Sequence, residues 1–172
     1  MKRRILAVLI AAALIPTFAA QAERKLVNPA IDMDGFLRIS KEAAEHRQSR
    51  RLTEAQFLKL ASEPGTIVLD ARSKAKFDLL HVKGAVNLSF PDITVESLAR
   101  LIPDRTTRVL IYCNNNFSDE ERAFPSKLPA ASLNLSTYIS LYTYGYRNVY
   151  ELGPLIDAKR TMLPLVPSKS VE

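Results

Sequence analysis

Arg108-Val-Leu-Ile-Tyr-Cys-Asn-Asn-Asn116 is the stretch on which the fold turns. One charged residue gives way to four apolar or aromatic residues, then to a cysteine, then to three asparagines. A short apolar run without polar alternation reads as a strand buried on both faces, as in parallel sheets. Cys113 stands where that strand ends. Open α/β sheets bind ligands just beyond the carboxyl ends of their strands. Cys113 is also the only cysteine of the chain, so it has no internal disulfide partner.

Outward from this strand the elements alternate in type. Upstream, Asp92 to Ile102 has helical spacing through Ile93, Val95, Leu98 and Leu101 or Ile102, and Pro103 ends it. Ala85 to Leu88 reads as a short strand after a tight turn at Lys83-Gly84. Ser73 to Leu80 is a helical turn with Phe77 inward. Thr66 to Leu69 is a second buried strand, preceded by the breaker Pro64-Gly65. Thr53-Glu-Ala-Gln56 is a capping-box pattern that opens a helix with Phe57, Leu58 and Leu60 on its buried face. Asp32 or Asp34 can cap an earlier helix reaching about Arg47, with Phe36, Leu37, Ile39, Ala43 and Ala44 as its apolar face. His46 lies at the basic end of that helix and is expected to be solvated.

Downstream, residues 117–132 contain the acidic run Asp119-Glu-Glu121 and prolines at 125 and 129. They keep no periodicity and read as an extended loop. Leu133 to Tyr144 recovers helical spacing, Gly145 fits a C′ stop, and Arg147 to Leu152 is a final strand. The alternation predicts an α/β fold: a central, mostly parallel sheet with helices on both faces. The expected organisation is an N-terminal helical extension at 23–51, a domain at 52–156 and a weakly specified tail at 157–172.

Residues 1–22 carry a different signal. Lys2, Arg3 and Arg4 precede an apolar run from Ile5 to Ile15, Pro16 breaks it, and Ala20-Gln-Ala22 is a small-residue cleavage pattern. Those three parts make a secretory signal peptide, and the run is too short to span a bilayer comfortably. The expectation is a periplasmic or secreted protein, cut after Ala22 and left without a membrane anchor. Loss of three basic residues and no acidic ones lowers the formal charge from +6 to +3. That balance gives no reason to propose a nucleic-acid partner. The chain has two histidines, so no histidine-rich metal set exists, and no cofactor is expected. In an exported chain, an unpaired cysteine is a reactive thiol, half of an intermolecular bridge, or a buried inert residue.

Four ordered motifs bear on family: Leu69-Asp-Ala-Arg72 with Phe77, His81-Val-Lys-Gly-Ala-Val-Asn87, Val109-Leu-Ile-Tyr-Cys113, and Gly145-Tyr-Arg-Asn-Val-Tyr-Glu-Leu152. From Ile67 onward, over about half of its length, the chain resembles the rhodanese-like domain. The resemblance implies a small α/β fold with Cys113 at the family's active-site cysteine. In active members that cysteine carries a persulfide sulfur from a donor to a thiol or cyanide acceptor.

A thiolate is the attacking species in such chemistry, so the site has to favour negative charge. Backbone N–H groups in the loop Asn114, Asn115, Asn116, Phe117 and Ser118 are the candidate anion cradle. Asp70, Arg72, His81, Gly84 and Asn87 read as structural: paired charges, a turn and loop ties. The family loop commonly reaches an arginine about five positions after the cysteine. Here that position is Ser118, and the candidate substrate cations are Arg122 and Lys127. Cys113 to Gly145 spans 32 positions, longer than is usual in the family. Two functions stay open: a sulfurtransferase with Cys113 as persulfide carrier, acting on a small sulfur donor and acceptor, or an inactive binding module that holds a protein partner with residues 117–132. Redox work through a mixed disulfide and a phosphatase activity are the weaker alternatives.

Overall fold

The computed structural model describes residues 28–168. The predicted signal peptide and its cleavage site therefore lie outside the described residues, as do the last four of the tail. The chain divides into two units, Met1–Ile31 and Asp32–Glu172. In the first, residues 28–31 form a turn in which Asn28 Oδ1 accepts from the Ala30 N–H at 3.0 Å.

In the second unit five parallel strands make one sheet: β1 (Arg51–Leu52), β2 (Thr66–Asp70), β4 (Val86–Asn87), β5 (Arg108–Tyr112) and β7 (Val149–Leu152). Their order is β1-β7-β5-β2-β4, with β5 in the middle. The helices are α1 (Met33–Arg47), α2 (Glu54–Ala61), α3 (Lys74–Leu79), α4 (Val95–Leu101) and α5 (Leu133–Thr143). Strand side chains alternate between faces, so each strand contributes to two cores. Val109, Ile111 and Val149 face Ala43 of α1, Leu98 of α4, and Tyr138 and Leu141 of α5. Leu110, Tyr112 and Leu152 face Phe57 of α2 and Leu163.

The local signals act as the sequence dictates. Asp32 caps α1 by accepting the Gly35 N–H at 2.8 Å. Thr53 and Gln56 form the reciprocal capping box of α2. Gly145, at φ 91°, ends α5 in the left-handed region that its lack of a Cβ permits.

Three regions differ from expectation. First, α1 packs on α5 and belongs to the sheet unit, but only Ala43 of its expected face is buried. Phe36 and Leu37 are 53% and 58% exposed. Val95 of α4 is likewise exposed, because α4 starts three residues later than its pattern suggested. Second, residues 117–132 are not a free loop. Phe117–Ser118 form β6, Ala123 and Phe124 are buried, and 129–131 make a 3₁₀ turn. Third, the tail is tied down. β8 (Ile156–Asp157) pairs in parallel with β6, and β9 (Leu165–Val166) pairs antiparallel with β3 (His81–Val82). The Glu54 carboxylate also accepts from Thr161 Oγ1 and from the Met162 N–H.

His46 is part-buried rather than solvated. Its Nδ1 lies 2.8 Å from the Tyr138 hydroxyl, and its ring meets that of Tyr142 at 5.3 Å. Burial pushes the Tyr138 hydroxyl up to about 12. Burial first, then the charges of Arg50 and Arg147, hold the His46 pKa below its usual 6.5. A folded state that resists protonation keeps its full stability above pH 6.5 and loses it as pH falls below. Thermal unfolding at pH 7, 6 and 5 should therefore show a falling midpoint. His46→Gln should flatten that fall, and an unchanged slope would remove His46 as its source.

Candidate active site

Cys113 continues β5 in extended backbone and follows the odd-numbered series, Val109 and Ile111, toward the α5 face. It is 1% exposed. Its N–H donates to Asn116 Oδ1 at 2.9 Å. Asn114–Asn116 form a 3₁₀ turn in which the Asn116 N–H donates to the Cys113 carbonyl, and the Phe117 N–H to that of Asn114. The Phe117 N–H is spent within the turn, whereas the Asn116 N–H is shared between the Cys113 carbonyl and the Cys113 side chain. Asn116 Nδ2 donates to the carbonyls of Leu152 and Pro154 at 2.7 and 3.1 Å, and Asn134 Nδ2 donates to Asn116 Oδ1 at 3.0 Å. Asn116 thus joins the ends of β5 and β7 to α5. Asn115 clamps the main chain of Lys127, donating to its carbonyl and accepting from its N–H. The Phe117 ring packs against Tyr112 and Phe124 in the core. Ser118 donates to Asp119, whose φ of 63° turns the chain out of β6.

The excursion from Asn116 ends where it began. Ser132 Oγ lies 3.4 Å from Cys113 Sγ, and Ser132 is the N-cap residue of α5 with no side-chain capping bond of its own. A helix start carries partial positive charge and favours an anion placed there. The thiol therefore meets a hydroxyl and the positive end of a helix, although 19 positions separate the two residues. Ser132→Ala should slow alkylation of Cys113 at neutral pH about tenfold, the worth of one charge-assisted hydrogen bond of ~1.5 kcal/mol. An unchanged rate would take Ser132 out of the site.

Cys113, Ser132 and Asn134 line a cleft of about 390 Å³ whose other wall holds Arg47, Arg51 and Glu151. Glu151 is 1% exposed and accepts from both arginines. Arg47 donates through Nε at 2.8 Å and Nη2 at 2.5 Å, and Arg51 through Nε at 3.1 Å. Arg51 Nη2 also donates to the Gly153 carbonyl at 3.1 Å. The β1–β7 register places Arg51 beside Glu151. Two guanidiniums against one carboxylate leave the wall with a charge of +1.

Arg122 and Lys127 are placed elsewhere. Arg122 is exposed, and its carbonyl accepts from Lys76 Nζ. Lys127 lines a separate pocket of about 480 Å³ with Asn114, Arg72, Ser73 and Lys76. That pocket opens between the ends of β2 and β5, where the strand order reverses. The cations at the cysteine are Arg47 and Arg51, which the sequence reading passed over. Their one signal was Glu151, an acid inside an apolar strand that has to be paired when buried.

A model of the rhodanese-like domain matches residues 53–152. The chain belongs to the rhodanese-like domain family. A comparison with curated proteins finds no match. Solved structures similar to it include a rhodanese with anions from E. coli, 24% identical, covering 59% of this chain and 98% of that one, with a TM-score of 0.41. A Helicobacter pylori protein is 20% identical, covering 73% and 96%, with a TM-score of 0.49. A rhodanese-like domain from Anabaena is 18% identical, covering 72% and 85%, with a TM-score of 0.48. Arg47 and Arg51 precede the matched segment, whereas Cys113, Ser132 and Glu151 lie within it.

In this rhodanese-like chain Asp70 and Arg72 form a buried frame beneath the second pocket. Arg72 Nε lies 3.0 Å from both Asp70 oxygens, and its Nη2 donates to Oδ2 at 2.6 Å. The same guanidinium donates to the carbonyls of Ala123 and Leu80 and stacks 4.2 Å over the Phe124 ring. The Tyr112 hydroxyl donates to Asp70 at 2.6 Å and accepts from the Val82 N–H. Burial, with the Asp70 charge beside it, pushes that hydroxyl's pKa well up, so it stays protonated. Asn87 Nδ2 donates to the carbonyls of Asp70 and Arg72. His81 stacks on Phe77 with its Nδ1 at the Phe77 carbonyl, and Gly84 takes φ 83° in the turn before β4.

Proposed function

We propose that this chain is an exported sulfurtransferase that carries a persulfide on Cys113. The observation that carries the reading is the Cys113 Sγ–Ser132 Oγ contact at the start of α5, on the floor of a cleft with a charge of +1. In the first step the Cys113 thiolate attacks the outer sulfur of a sulfane donor such as thiosulfate. The S–S bond of the donor breaks, sulfite leaves with the bonding pair, and Cys113 holds a persulfide. In the second step an acceptor thiolate attacks the outer persulfide sulfur, and Cys113 leaves as thiolate. The first step starts from a thiolate at Cys113 Sγ and the second restores it, and the Ser132 hydroxyl and the α5 start stabilise that thiolate. No general base is required once the thiol is ionised.

Intact-mass measurement after exposure to thiosulfate, polysulfide or a small persulfide should show the gain of one sulfur, mapped by peptide analysis to Cys113. No gain with any of the three would sink the reading. Export is tested on its own: protein recovered from the producing cell should begin at Glu23 and lie outside the cytoplasm. A cytoplasmic chain that still begins at Met1 would refute that part.

A further inference from the structure

Arg38, Arg47, Arg51, Arg72 and Arg108 each meet a carboxylate. Three arginines that do not, Arg50, Arg105 and Arg147, line one cleft of about 330 Å³ with Thr106 and Asn148. This cleft lies at the opposite end of the strands from Cys113. Arg50 precedes β1, Thr106 precedes β5 and Asn148 precedes β7, and these three parallel strands are neighbours in the sheet. The length of β5, roughly 17 Å, separates the cleft from the thiol.

The three guanidiniums are held by means other than ion pairs. Arg147 stacks 3.5 Å over the Tyr142 ring and donates through Nη1 to the Tyr142 carbonyl. Arg50 stacks 4.7 Å over the Tyr150 ring and, among the described residues, has no hydrogen-bond acceptor. Arg105 lies across Gly145, where a Cβ would come within 2.8 Å of its Nη1. Stacking occupies the face of a guanidinium and leaves its in-plane N–H donors open. The neighbouring carboxylate, Asp104, accepts from the N–H and the hydroxyl of Thr106, both at 2.7 Å, and pairs with no arginine among the described residues. Three guanidiniums outweigh that carboxylate and the roughly half negative charge at the α5 C-terminus. The excess is felt at His46, which lies between Tyr138 and Tyr142 of α5: after burial, Arg50 and Arg147 are what hold its pKa down.

We propose that this cleft binds a compact multivalent oxyanion of the diphosphate class. Each guanidinium fork matches two oxygens of a phosphoryl group. Three forks suit an anion with charge spread over adjacent phosphoryl groups better than a single carboxylate. All five lining residues are polar, so a ligand that is hydrophilic throughout fits better than the head of an amphiphile. The site shares no residue with the Cys113 cleft and is independent of the persulfide reading.

Calorimetry of the full chain with inorganic diphosphate, at constant ionic strength, should show saturable binding to one site. Arg50→Gln and Arg105→Gln should each weaken it about tenfold. Arg122→Gln, an equal loss of charge at another exposed position, should leave it unchanged. His46 supplies a second readout, which needs no variant of the site. A bound anion offsets the field of Arg50 and Arg147, so the His46 titration followed by NMR should move up toward 6.5, with His46→Gln assigning the resonance. Absence of binding, an unmoved His46, or a loss in Arg122→Gln equal to that in Arg105→Gln would overturn the proposal. So would equal affinity for a tetraglutamate peptide, or capture by phosphatidic acid vesicles without affinity for free diphosphate.

Discussion

Cys113→Ser should stop sulfur transfer outright, lowering the rate to a thiol acceptor by about a thousandfold or more. Serine is close to cysteine in size and keeps a hydroxyl beside Ser132, so the fold should persist with a thermal midpoint within a few degrees of the parent. A hydroxyl does not form a stable persulfide, so no sulfur should be retained. The measurement is intact mass after a sulfane donor, followed by transfer rates on the same sample. Full transfer by the serine variant would place the chemistry elsewhere. The variant also separates the two functions left open by the sequence. A binding module would hold its partner unchanged when Cys113 is serine, and the cell would not register the substitution.

Arg72→Ala should cost about 3–5 kcal/mol of stability, because it leaves the fully buried Asp70 carboxylate without its cation. For a domain of this size that is a fall of roughly 10–15 °C in the thermal midpoint. The same change frees the carbonyls of Ala123 and Leu80 and unstacks Phe124. Proteolysis should then concentrate between residues 118 and 127, the segment that Arg72 holds down. The double variant Asp70→Asn, Arg72→Met should recover part of the loss, since no uncompensated charge stays buried. A single variant as stable as the parent would show that Arg72 does not hold the frame.

The parts of this fold that were legible in the sequence are those with local causes. The run from Arg108 to Tyr112 has the length and apolar continuity of a central parallel strand. The Thr53–Gln56 box and Gly145 mark helix ends by their own chemistry. Cys113 was legible as a strand-end residue for the same reason. What stayed hidden depends on the assembled chain. Two-residue strands such as β6 and β8 are too short for any period to emerge, so 117–132 and the tail looked unstructured. The apolar residues Phe36 and Leu37 on α1 suggested a buried face, yet α1 meets α5 along a narrow line centred on Ala43. The cleft itself is a product of register. Nothing near Cys113 in sequence points to Arg51, which reaches the site only because β1 lies against β7. Nor could the spacing to Ser132 be read forward, because the intervening segment has to fold into the second core before it returns.

The pairing of β1 with β7 also sets a timetable. Arg51 and Glu151 are 100 positions apart, and Arg47 and Glu151 are 104. Contacts of such separation pay the largest loop-closure entropy and form late in folding. A chain emerging from its N-terminus therefore displays α1 and β1 long before the strand that completes the wall exists. The thiol at the end of β5 acquires its cationic neighbours only when the sheet closes. Until then the nascent chain has a cysteine without its cleft, and the cleft is completed as a last event rather than growing with the fold.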